Sequence, residues 1–287
     1  MKQTNLIPTT LIQEFRGLLI SKKLKHIRFL ISIGIFSLLI PACAGFKENH
    51  MQTATAPQVF MAGDSTMAIK EPSAYPETGW GVPFATFFND STKVVNLAKN
   101  GRSTRTFISE GLWQQVTNNL HAGDYVFIQF GHNDEVPSKV DRYTTSEQYQ
   151  ANLNSFIQDV EQAQANVILM TPVIRRKFGN DGKLTPTHPY AQLVREVALE
   201  HPEIVFIDMQ KITHDYFEAM SPEASALRFM HLEPGLNPNY PDGRSDDTHY
   251  NELGAREAAQ LVLLELKRIN HPVVQLIRPA DPKHLKK

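Results

Sequence analysis

The chain has 287 residues, 41% of them apolar, and 29 basic against 30 acidic side chains give a formal net charge of −1. That length and apolar content suffice for one sizeable α/β core, and one domain is expected. A single cysteine, Cys43, rules out an internal disulfide and any cysteine-rich metal site.

In chain order, residues 1–28 are polar and basic and end in Lys22-Lys23-Leu24-Lys25-His26-Ile27-Arg28. The apolar run Phe29 to Ile40 follows. Its 12 residues would rise about 18 Å as a helix, short of the roughly 30 Å hydrocarbon core, so it reads as the apolar region of a signal peptide and not as a permanent span. The next segment, Ile40-Pro41-Ala42-Cys43, resembles a bacterial lipoprotein processing box, in which Cys43 becomes the lipidated first residue and anchors the chain to a membrane. Plain secretion with cleavage after Ala42-Cys43-Ala44 and a buried N-terminal helix are the alternatives. The expected organisation is a leader over 1–43, a linker over 44–57 and one folded domain over 58–287, exported to the periplasm or cell surface. Residues 1–42 hold six basic and one acidic residue, so the remainder carries 23 basic against 29 acidic. A chain with that surplus of negative charge has no general attraction for nucleic acid.

Five apolar runs of strand length follow: Val59 to Ala62, Val94 to Ala98, Tyr125 to Phe130, Val167 to Met170 and Ile204 to Ile207. Nearly continuous apolar character marks strands buried on both faces, as in a parallel sheet. Helical patterns separate them, notably Ser146 to Ala165, with Leu153, Phe156, Ile157 and Val160 on one side, and Tyr190 to Glu200. A last amphipathic helix runs over Glu252 to Ile269, with Asn251 as its cap and Leu261, Leu264 and Leu266 among its apolar residues. The alternation predicts a three-layer α/β/α sandwich around a five-stranded parallel sheet, with the site outside the carboxyl ends of the strands.

Residues with chemistry sit at those ends. Ser65, in Gly63-Asp64-Ser65-Thr66, follows the first run, and Asp246-Asp247-Thr248-His249 lies near the other end of the chain. A serine hydroxyl needs an imidazole to take its proton, and the imidazole needs a carboxylate to orient it. Taken singly, Gly-Asp-Ser is also a turn or helix cap, and Asp-x-x-His also suits a metal pair or a surface histidine. Gly101 follows the second run and Asn133 the third, where a glycine N–H and a side-chain amide can serve as oxyanion donors.

In that order and spacing, Ser65, Gly101, Asn133 and His249 resemble the signature residues of the SGNH (GDSL-type) hydrolases. The blocks at 63–66, 96–111, 128–134, 171–176 and 246–249 resemble the rhamnogalacturonan acetylesterases in particular, with an extra loop-like run at 233–241. The resemblance implies a flavodoxin-like SGNH hydrolase fold and a serine esterase that removes O-acetyl groups from plant cell-wall polysaccharide, rhamnogalacturonan first, with no cofactor. It implies Ser65 as nucleophile, His249 as base and Asp246, three residues before it, as orienting carboxylate in preference to Asp247. The N–H groups of Ser65 and Gly101 and the Asn133 amide would form the oxyanion hole. Acetylxylan or another carbohydrate or lipid ester is the alternative substrate, and a non-catalytic glycan-binding protein the alternative class.

Four residues are candidates for substrate contact. Arg175 and Arg176, in the basic run Arg175-Arg176-Lys177, could grip uronic-acid carboxylates, although a solvated or ion-paired face is the plainer reading. Trp80 could stack on sugar or pack in the core, and His132 could touch substrate or be a packed, hydrogen-bonded ring. Asp64 and Asp134 are expected to hold loops by accepting backbone N–H bonds, and Trp113 to pack.

Overall fold

The computed structural model describes residues 56–279; Cys43 and the apolar run before it lie outside them. The elements in chain order are β1 (Val59–Gly63), α1 (Gly81–Ala85), β2 (Val94–Asn96), α2 (Thr104–Ser109), α3 (Leu112–Thr117), β3 (Tyr125–Gln129), α4 (Ser146–Gln162), β4 (Asn166–Met170), α5 (Tyr190–Glu200), β5 (Val205–Ile207), α6 (Met209–Glu218), α7 (Pro222–Ala226), β6 (Phe229–Leu232), β7 (Arg244–Tyr250) and α8 (Glu252–Arg268). The first five strands form one parallel sheet in the order β2-β1-β3-β4-β5, and β6 and β7 form a separate antiparallel pair.

Because side chains alternate across a strand, each central strand feeds two cores. Val59, Met61, Tyr125, Phe127, Ile168 and Met170 face one side, where Phe84 of α1, Phe217 of α6 and the α8 residues Ala258 and Val262 cover them. Phe60, Ala62, Val126, Ile128, Val167 and Leu169 face the other, under Phe107 of α2, Val116 of α3, the α4 stripe Leu153, Phe156, Ile157 and Val160, and Val194 and Val197 of α5. The result is the expected five-stranded three-layer sandwich. Trp113 packs as expected, stacked on Phe156 at 4.0 Å with its Nε1 donating to Asp159 at 2.8 Å.

Two elements differ from the sequence reading in instructive ways. Strand β2 ends at Asn96 and not at Ala98, because the Asn96 Oδ1 accepts the Ala98 N–H at 3.0 Å and turns the chain early. Helix α8 is capped by Asn251 as expected, but its buried stripe is built from Gly254, Ala255, Ala258, Ala259, Val262 and Leu266, while Leu264 is exposed. Small residues let α8 approach closely. A Cβ on Gly254 would stand 2.0 Å from the Arg228 carbonyl oxygen, so that position admits no side chain.

The sequence showed no sign of the β6–β7 hairpin, which carries the last functional block. The run 233–241 makes up most of its connecting loop, 233–243, fastened by the Asn239 Nδ2 donating to the carbonyls of Pro72 and Tyr75 (3.1 and 2.9 Å) and the Tyr240 hydroxyl to that of Ala74 (2.9 Å). Pairing runs from Phe229↔Tyr250 directly to Met230↔Asp246, so Asp247, Thr248 and His249 bulge out of the ladder. A bulge re-aims side chains, and here it turns His249 back toward the end of β1. Among the described residues no helix is long and apolar enough to cross a membrane.

Candidate active site

The end of β1 is a tightly bonded turn. The N–H groups of Met67 and Ala68 donate to the Asp64 carbonyl (3.2 and 3.1 Å), and the Asp64 Oδ1 accepts the N–H and hydroxyl of Thr66 (2.9 and 2.8 Å). The other carboxylate oxygen lies 3.0 Å from His132 Nδ1. Burial pushes this carboxyl up, but the adjacent His132 ring and the bonds from Thr66 outweigh it and hold Asp64 at about 2. With its side chain committed to these contacts, Asp64 fixes the backbone that projects Ser65.

Ser65 Oγ lies 2.9 Å from His249 Nε2, and His249 Nδ1 lies 2.8 Å from Asp246 Oδ2. The second Asp246 oxygen accepts the N–H groups of Thr248 and His249 at 2.8 and 3.1 Å, contacts that the bulge makes possible. Burial raises this carboxyl too, yet the hydrogen bonds from His249 and Arg244 prevail and leave Asp246 ionised far below the usual carboxylate range. Both ring nitrogens of His249 are thereby engaged, which leaves none for the metal pair that Asp-x-x-His also allowed.

Two more loops close on Ser65. Gly101, between β2 and α2, has φ +76°, a left-handed conformation suited to glycine. The Asn133 Nδ2, beyond β3, donates to the Arg102 carbonyl at 2.9 Å, which sets the plane of the amide and leaves its second N–H free to donate. Among the described residues the N–H groups of Ser65 and Gly101 donate to no protein acceptor.

Three charged residues invisible as site residues in the sequence knit these loops together. The Lys70 ammonium donates to the Ser65 carbonyl (2.6 Å), to the Asn100 Oδ1 beside Gly101 (2.7 Å) and to Glu77 (2.7 Å). Glu77 lies 3.8 Å from Arg244, whose guanidinium donates to Asp246 Oδ2 at 2.6 Å. Nothing in their local sequence marks them, since each stands apart from the motifs and the fold alone brings them together.

The substrate-contact candidates fare differently. Trp80 is fully buried and its Nε1 donates to Gln129 Oε1 (2.8 Å), while the Gln129 amide donates to Thr66 Oγ1 (2.8 Å). It is a core strut of the Ser65 turn and cannot stack on a sugar. His132 is likewise packed, held by Asp64 and edge-on to His188 at 4.3 Å between ring centroids. Arg175 donates to Thr248 Oγ1 (2.8 Å) and to the His132 carbonyl (3.3 Å). Arg176 donates to Asp247 Oδ1 (2.7 Å), Ser225 Oγ (2.9 Å) and the Pro222 carbonyl (2.7 Å). Both guanidinium groups pin the β7 bulge to the loop after β4, so neither is a free fork for a uronate. Asp134 takes the loop-holding part expected of it, accepting the Thr104 N–H at 2.9 Å and hydroxyl at 2.6 Å.

Away from this site, Glu161, His201 and Glu203 bring ligand atoms within 4.8 Å of one another. Both His201 ring nitrogens are already engaged there, by Glu203 at 2.9 Å and Asn154 at 2.8 Å.

A parallel five-stranded sheet with a Ser–His–Asp hydrogen-bonded chain at the carboxyl ends of its strands is the layout of an SGNH-type hydrolase. The chain belongs to the GDSL-like lipase/acylhydrolase family, whose model matches residues 61–257. It is 37% identical over 217 residues to the rhamnogalacturonan acetylesterase RhgT of Bacillus subtilis, covering 75% of this chain and 92% of that protein. It is 30% identical to the probable rhamnogalacturonan acetylesterase YesY of the same organism, over 77% of this chain and 98% of the relative. Among solved structures, Bacillus subtilis YxiM superposes with a TM-score of 0.65 at 26% identity, over 76% of this chain; the match spans 58% of that chain's length.

Proposed function

We propose that this chain is a serine esterase that removes O-acetyl groups from a plant cell-wall polysaccharide, acetylated rhamnogalacturonan in the first place. The observation that carries the reading is the continuous chain Ser65 Oγ, His249 Nε2, His249 Nδ1, Asp246 Oδ2, with contacts of 2.9 and 2.8 Å, in a family of acylhydrolases. The identity to RhgT and YesY supports the substrate class.

In this reading His249 takes the Ser65 proton as Oγ attacks the acetyl carbonyl, and ionised Asp246 steadies the imidazolium. The tetrahedral oxyanion accepts hydrogen bonds from the N–H groups of Ser65 and Gly101 and from the free N–H of the Asn133 amide. His249 then protonates the departing sugar hydroxyl. Water enters by the same route to hydrolyse the acetyl-serine, releasing acetate and restoring Ser65. Besides substrate and water, these steps draw on Ser65, His249, Asp246 and the three oxyanion donors.

Acetate release from acetylated rhamnogalacturonan by wild type and Ser65→Ala, alongside labelling by an organophosphonate, tests the assignment. Ser65→Ala is expected to lose both signals while melting like wild type; near-normal turnover would overturn it. Faster release from acetylated xylan than from rhamnogalacturonan would move the substrate to the alternative class. We further propose export with Cys43 lipidated, on the segment logic of residues 29–43; fatty-acid labelling that survives Cys43→Ser would overturn that.

A further inference from the structure

The sequence offered Arg175 and Arg176 for an acidic substrate, and both are consumed by internal partners. Arg176 is ion-paired with Asp247, and Arg175, though it meets no carboxylate, spends its donors on Thr248 and the His132 carbonyl; further positive charge without an ion pair lies on another loop. Beside Gly101 a groove of about 460 Å³ opens to solvent, its wall formed by Gly101, the Arg102–Glu110 pair and the segment 138–142. We infer that this groove is a subsite for a carboxylate of an acidic polysaccharide, with the Arg142 guanidinium as its recognising group and Lys139 as a second cation. The inference rests on the reading of Ser65 as the nucleophile of polysaccharide deacetylation.

Arg142 is set against the loop that supplies the Gly101 donor. Its Nη1 donates to the Gly101 carbonyl at 3.3 Å, and a Cβ on Gly101 would stand 2.8 Å from that nitrogen. That contact is long and uses one donor, which leaves most of the guanidinium fork available. Other arginines around the site are committed: Arg102 to Glu110 at 2.8 Å, Arg176 to Asp247 at 2.7 Å, Arg244 to Asp246 at 2.6 Å. Among the described residues neither Arg142 nor Lys139 is ion-paired, although both face the same groove. Asp141 also lines it. One carboxylate against two unpaired cations leaves the groove net positive, and Asp141 offers an acceptor for sugar hydroxyls beside the charged group.

The segment holding Arg142 is built, not trailing. Arg142 N–H and Tyr143 N–H donate to the Lys139 carbonyl at 2.9 and 2.8 Å, and Thr144 N–H to the Asp134 carbonyl at 3.1 Å. From α2, Arg105 Nη1 donates to the carbonyls of Val140 and Tyr143 at 3.2 and 3.4 Å. Preorganisation of this kind spares a binding site the cost of ordering on contact. A chain of net negative charge beyond its leader repels a polyanion at long range, so recognition needs local cations placed where the polymer lies. A planar fork matches a carboxylate bidentately, which a neutral xylan chain does not present.

The test compares acetylated rhamnogalacturonan with the same polymer after its carboxyl groups are reduced to alcohols. Wild type is expected to favour the acidic polymer in kcat/KM, and added salt to erode the preference. Arg142→Met should lower that preference about tenfold or more, the size of one lost charge-assisted contact, mainly through KM; Lys139→Met, on an exposed residue, should act in the same direction less strongly, and Arg142→Lys should retain part of it. Equal preference in wild type and both Met variants would overturn the subsite. Calorimetry with a deacetylated galacturonan oligosaccharide separates the two readings. Binding that weakens in Arg142→Met, in a protein that deacetylates neither polymer, would keep the subsite and remove the esterase assignment; binding unaltered by both Met variants would overturn the subsite.

Discussion

Arg244 and His249 converge on one oxygen: the Arg244 Nη2 and the His249 Nδ1 lie 2.6 and 2.8 Å from Asp246 Oδ2. The guanidinium bonds the oxygen other than the one that accepts the Thr248 and His249 N–H groups, so both carboxylate oxygens are held and Asp246 cannot rotate away from the imidazole. Arg244→Met should therefore lower kcat on the order of tenfold, as expected for loss of one charge-assisted bond in a positioning role, with KM little altered. Arg244→Lys should recover part of the rate. Steady-state kinetics on p-nitrophenyl acetate decide the point, and an unchanged kcat in Arg244→Met would exclude the role.

Lys70 joins the Ser65 turn to the Asn100–Gly101 loop and is 5% exposed in its side chain. Burial lowers its proton affinity, while Glu77 restores part of it. Removing one member of a buried pair strands the other, typically at about 3–5 kcal/mol. Lys70→Met should lose stability of that order in urea melts, with Glu77 left facing only Arg244, and the double variant Lys70→Met/Glu77→Gln should regain much of it. Additive losses in the double variant would refute the coupling.

Much of this frame was legible in the sequence because strands β1, β3 and β4 are apolar on both faces and α5 shows its period plainly. The β6–β7 hairpin was hidden because Arg244–Tyr250 is a polar strand whose partner and bulge follow from the fold. Arg175 and Arg176 were conspicuous by adjacency, yet adjacency says nothing about partners; Thr248 and Asp247 lie some 70 residues on and claim both. Arg142, Lys70 and Glu77 carried no local mark. The mixed setting of Trp80 fits surface and core alike, and only the fold supplies Gln129 as the acceptor of its N–H.

Asn133 is oriented by the Arg102 carbonyl at 2.9 Å, so its free N–H points in a fixed direction before substrate arrives. Loss of one oxyanion donor typically lowers turnover roughly a hundred- to a thousandfold. Asn133→Ala should show that fall in kcat with KM near wild type. A rise in KM alone would make Asn133 a binding residue.

Behind the site, two buried groups titrate in opposite senses over the same range. Burial pushes Asp134 up to about 7 against the bonds from Thr104 and Thr144, and burial, with His132 close by, holds His188 down to about 4 despite Glu135. Ordinary values are about 3.9 and 6.5. The raised Asp134 contributes stability that is full below about pH 3.9 and lost as pH rises through 7; the depressed His188 contributes stability that is full above about pH 6.5 and lost as pH falls through 4. Between pH 7 and 4 the two slopes oppose each other in wild type. Asp134→Asn should unmask the His188 loss, so its melting temperature should drop more steeply on acidification than that of wild type. His188→Gln, which can still donate to Glu135, should shift the slope the other way. Melting curves for the three proteins at half-unit pH steps measure this directly, and parallel profiles across the window would show that neither group titrates there.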